Sequence, residues 1–65
     1  MYVLTIDQAR SRRRPDRVPE LLAALADVDT LAPFERTVGD EVQGVPAEAT
    51  AVLTAIRIAL AEGEW

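Results

Sequence analysis

The Gly39-Asp40 pair, set between two short extended segments, is the feature that most limits what this chain can fold into. Phe34 to Val38 precedes the pair and Glu41 to Val45 follows it. A glycine at this point supplies the positive φ that a tight hairpin turn requires. Two consecutive strands are therefore predicted to pair antiparallel, and any sheet in this chain has to include that hairpin.

One strand and one helix are predicted before the hairpin. Tyr2 to Ile6 is β-branched and aromatic, which is typical of a mostly buried strand, and Asp7 falls at its end. Gln8 to Pro15 reads as a charged loop. Asp16 can then cap a first helix, in which Pro19 is tolerated because first-turn N–H groups have no partner within the helix.

Apolar residues at helical spacing indicate which helix faces are buried. The first helix carries one stripe, made of Val18, Leu21, Leu22, Leu25 and Val28. A second helix is predicted to begin at Pro46 and to end at Gly63. Its predicted core face consists of Ala49, Val52, Leu53, Ile56 and Leu60. A further apolar strip, Ala51, Ala55 and Ile58, is wider than a three-stranded sheet needs, so we expect something else to cover it.

The order β-α-β-β-α predicts an α/β fold of the α+β type, a ferredoxin-like or palm-like half. A right-handed crossover leaves a gap between strands one and two that the third strand fills. The result is a three-stranded antiparallel sheet covered by two helices on one face, with one open edge on the first strand. Residues 1–65 form a single domain, and Glu64-Trp65 stand where such a unit enters another strand, so we expect a truncated domain.

Composition excludes several classes of site. Sixty-five residues allow one small core. The chain has no cysteine and no histidine, which rules out disulfides, thiolate zinc sites and a histidine base. The first apolar run is too short for a signal sequence, and no stretch approaches the roughly 20 apolar residues of a membrane span. A cytoplasmic location without membrane partners is the expectation.

Three carboxylates are predicted to meet at one edge of the sheet. The end of strand one lies beside the start of strand three, which brings Asp7 next to Asp40 and Glu41 across about 4.8 Å. Mg²⁺ or Mn²⁺ would relieve the repulsion among these groups. Two plainer interpretations stay open: Gly39-Asp40 is also a good turn dipeptide, and Asp7 can cap a loop or pair with an arginine.

Five of the seven basic residues precede the first helix: Arg10, Arg12, Arg13, Arg14 and Arg17. Ser11, Arg12 and Arg17 near a helix N-terminus would favour the phosphate of a nucleotide or another phosphate ligand. Contact with nucleic acid is the least favoured reading, because no aromatic is interleaved and the rest of the chain is acidic. A solvated loop is the plain alternative.

These residues resemble the paired motifs of the SatD family, Gly-Asp-x-x-x-Ser-Arg followed by Gly-Asp-Glu-Phe-Gln-Gly. The matching positions are Asp7, Ser11, Arg12, Arg17 and the run from Gly39 to Gly44. Ile6 stands where the family pattern has glycine, and Val42 where it has phenylalanine. The resemblance covers most of this chain but only the N-terminal part of the family domain.

The resemblance implies a bacterial cytoplasmic protein of undefined activity, often with a DNA-binding helix-turn-helix further along. A looser similarity to palm-type nucleotidyl cyclases and GGDEF domains implies carboxylates that hold divalent metal ions. The first hypothesis is therefore divalent-metal and phosphate binding. The alternative is a non-catalytic regulatory or interaction module, whose first-strand edge pairs with a second copy, another chain or a missing C-terminal segment. We do not expect this chain alone to catalyse a reaction.

Overall fold

The predicted order of elements is confirmed in the computed structural model, which describes residues 1–9 and 15–65. The strands are β1, Leu4–Asp7; β2, Thr30–Arg36; and β3, Glu41–Pro46. The helices are α1, Val18–Leu25, and α2, Ala49–Glu62. The first strand therefore begins two residues later than predicted and includes Asp7. The exposed apolar residues Met1, Tyr2 and Val3 precede it.

The sheet has the strand order β1-β3-β2, so β3 occupies the centre and runs antiparallel to both neighbours. Both helices lie on one face of this sheet, where Val42 of β3 packs against buried side chains of α1 and α2. The buried side chains of α1 are Val18, Leu21 and Leu25. The predicted fold is confirmed.

The hairpin between β2 and β3 turns at Gly39, whose φ is 55°. The backbone N–H of Glu41 donates to the Val38 carbonyl at 2.9 Å, and the Thr37 N–H donates to the Glu41 carbonyl at 3.0 Å. The first of these bonds encloses two residues, Gly39 and Asp40. The predicted turn is confirmed, and only glycine adopts this φ without cost.

The second strand begins earlier than the sequence pattern indicated. The prediction of Phe34 to Val38 is wrong at both ends, since β2 is Thr30–Arg36. Its pairing with β3 is irregular between Thr30 and Ala32 and again between Ala32 and Glu35. Pro33 lies within the second irregular stretch, which is where an edge strand can accommodate a residue that has no N–H.

The buried face of α2 differs from the predicted one. Ala51, Ala55 and Ala59 are buried, whereas Leu53, Ile56 and Leu60 are exposed. Both strips have helical spacing, so periodicity alone did not choose between them. Small side chains let α2 approach α1 and β3 closely, and this favours the alanine strip as the inner face.

The predicted start of α2 is wrong, and its predicted end is confirmed. Pro46 is not its first residue: Pro46 is the buried last residue of β3, and the helix starts at Ala49. Gly63 does end the helix, in a left-handed conformation with φ 89°. Among the described residues, no helix has the length and apolar character needed to cross a membrane.

Candidate functional site

Asp7 and Glu41 are directly opposite each other in the β1–β3 register. Their neighbours Thr5 and Gln43 are also paired, and Gln43 Nε2 donates to Thr5 Oγ1 at 3.4 Å. Opposite residues of an antiparallel pair share a face of the sheet. Both carboxylates therefore lie on the outer face, away from the helices, and the expected proximity of strands one and three is present.

The third predicted carboxylate, Asp40, is not part of the strand pairing that brings Asp7 and Glu41 together. Asp40 lies in the turn, and the Glu41 carboxylate accepts a short hydrogen bond from Thr37 Oγ1. Within residues 1–9 and 15–65, no three side chains of Asp, Glu, His or Cys are grouped so that they could hold a metal ion. The described residues thus offer a facing carboxylate pair, and metal ligation by Asp7, Asp40 and Glu41 stays a prediction.

The predicted phosphate site falls mostly outside the described residues. Ser11 and Arg12 lie outside them, as do Arg10, Arg13 and Arg14. Arg17 is exposed and directly precedes α1. The Val18 N–H donates to Asp16 Oδ1 at 3.1 Å, so a side-chain carboxylate already occupies this N–H at the start of the helix.

Gln8 is a buried side chain that bonds to the backbone of two residues just before α1, Pro15 and Arg17. It is only 4% exposed, and its Nε2 donates to the Pro15 carbonyl at 2.8 Å. Its Oε1 accepts from the Arg17 N–H at 3.0 Å. Both polar groups of this buried amide are thereby satisfied. Gln8 was predicted to lie in a loop, because a glutamine directly after a strand carries no signal that sets it apart. The strand itself was predicted to be mostly buried, whereas the residues of β1 alternate between half-buried and exposed.

Arg36 joins the start of α1 to the hairpin turn. Its Nη2 lies 2.6 Å from Asp16 Oδ2, and its Nη1 donates to the Gly39 carbonyl at 2.7 Å. The hydrogen bond from Arg36, with a second from the Val18 N–H, lowers the pKa of the Asp16 carboxyl. Asp16 and Gly39 are thus held by a single guanidinium group, in an exposed position.

The open edge of β1, meaning the side of Leu4–Asp7 that faces away from β3, is the most distinctive surface. Along this edge no strand of the described residues pairs with β1. The β1–β3 register runs from Leu4 to Asp7 without interruption, so the strand is regular. A regular strand with one free side presents unpaired N–H and C=O groups that can accept another strand.

An apolar groove, which we call the α2 groove, adjoins this open edge. It has a volume of about 190 Å³ and is lined by Leu4, Thr5, Ile6, Ile56, Ala59, Leu60 and Trp65. Leu60 is a large apolar side chain, yet it is 65% exposed. The Trp65 Nε1 atom is buried and has no hydrogen-bond partner among the described residues. The groove is thus a mostly apolar surface.

The segment after α2 comes close to β1. The Ala9 N–H donates to the Glu64 carbonyl at 2.6 Å, two residues past the end of β1. Trp65 lines the α2 groove together with Leu4 and Ile6. The segment therefore forms one wall of the groove.

The opposite edge of the sheet is built differently. The outer strand there is β2, which contains Pro33 and two irregular stretches of pairing. Proline and bulges are features that protect sheet edges from accepting a further strand. Of the two edges, β1 is therefore the one that is fit to bind a strand.

Comparison of the chain with models of protein families, with curated proteins and with solved structures gave no significant match.

Proposed function

We propose that this chain is an interaction module that binds an extended segment at the open edge of β1. The observation that carries the proposal is the coincidence of a regular, unpaired strand edge with the α2 groove beside it. Addition of a strand satisfies the free backbone groups of the edge, and its side chains enter adjoining pockets. In this module the exposed Leu60 and Ile56 are contact residues.

Burial supports the same proposal. The buried residues of α2 are alanines, while three of its larger apolar side chains, Leu53, Ile56 and Leu60, are exposed. Covering leucine and isoleucine side chains is worth about 25 cal/mol for each Å² of apolar surface removed from water. Of these three residues, Ile56 and Leu60 line the groove, so an added strand covers those two.

The test is a titration of the labelled chain with an uncharged octapeptide of alternating valine and threonine, capped at both ends. We expect amide chemical-shift changes at Leu4–Asp7 and at the groove residues. Leu60→Glu weakens binding at least tenfold, because it places a charge where the peptide packs. Leu53→Glu is the matched control, since Leu53 is 57% exposed on the same helix but does not line the groove. Shift changes confined to β2, or equal effects of the two variants, contradict the proposal.

A second candidate function is divalent-cation binding, and the facing pair of Asp7 and Glu41 favours it. Two carboxylates with water can hold Mg²⁺ or Mn²⁺, which prefer oxygen ligands. Asp40 in the adjacent turn is the third proposed ligand. A Mn²⁺ titration is expected to broaden the amide signals of Asp7 and of residues 39–41, and Asp40→Asn is expected to reduce the effect. Broadening without any such localisation contradicts a site.

Phosphate binding is the part of this second candidate that rests on Ser11, Arg12 and Arg17. The motif resemblance to the SatD family supports it, and on that resemblance we propose that the chain is a SatD-like, palm-like domain of regulatory role. Inorganic phosphate is the simplest probe. Saturable shifts at Arg17 that disappear in Arg17→Gln support the assignment, and unchanged spectra contradict it.

A further inference from the structure

We propose that the segment bound along β1 is a strand that alternates apolar with basic residues, supplied by a chain other than a second copy of this one. The inference rests on the proposed function and names the class of partner. It follows from the two different faces that β1 presents.

The face of β1 that points toward the helices determines where the bound strand has apolar residues. Leu4 and Ile6 pack toward the helices and line the α2 groove with Ile56 and Leu60. Residues placed directly opposite Leu4 and Ile6 on an added strand share that face. Their side chains therefore meet the groove, where apolar groups are favoured because they cover Leu60 and Ile56.

The outer face of β1, away from the helices, determines where the bound strand has basic residues. Residues opposite Thr5 and Asp7 share the outer face of the sheet. There Asp7 stands beside Glu41, and Glu35 and Gln43 are paired in the next row. A lysine or arginine opposite Asp7 faces one carboxylate directly and lies one strand away from a second. The surrounding body is acidic too, since residues 18–65 hold nine acidic residues and only two arginines.

A second copy of this chain does not supply that pattern. Its own first strand, Leu4–Asp7, contains no basic residue, and neither does the stretch from Met1 to Val3 that precedes it. Pairing of two β1 strands would bring an uncharged residue or another aspartate to the position opposite Asp7. The net charge of −4 on each copy also opposes association.

The experiment compares three capped octapeptides in which valine alternates with lysine, with threonine or with glutamate. Because each peptide has one polar residue type, a slip of register by two residues leaves the pairing unchanged. We expect the lysine peptide to bind at least threefold more tightly than the glutamate peptide at 0.15 M salt, in line with the usual strength of cross-strand charge pairs. Asp7→Asn is expected to reduce the ratio of the two affinities, because it removes the carboxylate that faces the lysine.

The matched control is Asp27→Asn, which removes the same charge from an exposed residue just after α1. If Asp27→Asn narrows the ratio as much as Asp7→Asn, the preference is not set at β1 and the inference fails. Equal binding of all three peptides overturns the basic partner but leaves the strand-binding function intact. If none of the peptides binds and the chain dimerises through β1, the edge belongs to a second copy and the inference is overturned. If none of the peptides binds and the chain is a monomer, the proposed function is overturned as well.

Discussion

Arg36 and Asp16, twenty residues apart in the chain, form an ion pair with Nη2 and Oδ2 2.6 Å apart. The same guanidinium donates to the Gly39 carbonyl. Two connecting segments, the one before α1 and the hairpin turn, are therefore tied together on the helix side of the sheet. The pair is exposed, so its role is to set the position of these segments more than to add stability.

The ion pair makes stability depend on pH in a defined direction. Arg36 lowers the pKa of Asp16 in the folded chain below its ordinary value. The contribution of Asp16 is therefore fully present above the unfolded-state pKa, near pH 4, and is lost as pH falls through the lower folded-state value. We expect urea unfolding to show Asp16→Asn less stable than the parent at pH 6. The difference shrinks below about pH 4, and a difference that stays constant down to pH 2 contradicts the account.

Removal of the Gln8 amide is expected to destabilise the chain by about 1–3 kcal/mol, because Gln8→Ala leaves the Pro15 carbonyl and the Arg17 N–H without their buried partner. Urea denaturation measures the loss. Gln43→Ala is the matched control: Gln43 is exposed and its bond to Thr5 is long, so its effect stays within about 0.5 kcal/mol. Similar losses in both variants would refute a special role for Gln8.

Gly44→Ala is expected to cost about 1–3 kcal/mol through overpacking. A Cβ at position 44 would lie 2.5 Å from Cδ1 of Phe34, whose ring covers the glycine. The decisive comparison repeats the substitution in a Phe34→Ala background, measured by thermal and urea unfolding. If the ring is the obstacle, the cost of the added methyl falls by at least about 0.5 kcal/mol there. An undiminished cost shows that the backbone, and not Phe34, requires glycine.

The inner and outer faces of α2 can be distinguished by substitution. Ala55 is fully buried, so Ala55→Leu overpacks the interior and lowers the free energy of unfolding by about 1–3 kcal/mol. Leu53→Ser changes a solvated side chain and stays within about 0.5 kcal/mol. Denaturant unfolding of the two variants checks this. If the face that contains Leu53 were the buried one, as the sequence predicted, Leu53→Ser would destabilise the chain more than Ala55→Leu.

The sequence predicted the parts of this fold that depend on local chemistry. Gly39 and Gly63 have the positive φ values expected of a turn and a helix end. The hairpin and the order of elements then place β3 in the centre of the sheet, because few connections are possible for so short a chain. The opposition of Asp7 and Glu41 follows from that topology.

The remaining features depend on contacts that a single sequence does not specify. Two apolar strips on α2 were compatible with the same period, and close packing selected the alanines. Pro33 broke the strand pattern by propensity, yet an irregular edge strand accommodates it. Gln8 is buried only because Pro15 and Arg17 come back to it in three dimensions. At the proposed cation site, the sequence indicated the neighbouring carboxylates but not the bond from Thr37 to Glu41.

The most direct test of strand binding at β1 is the detection of amide-to-amide nuclear Overhauser effects between the isotope-labelled chain and the unlabelled valine-threonine octapeptide. The account predicts intermolecular contacts from the backbone of Leu4–Asp7, together with side-chain contacts from Leu60. Contacts from Thr30–Arg36 instead, or from the outer face around Glu41 alone, would contradict it.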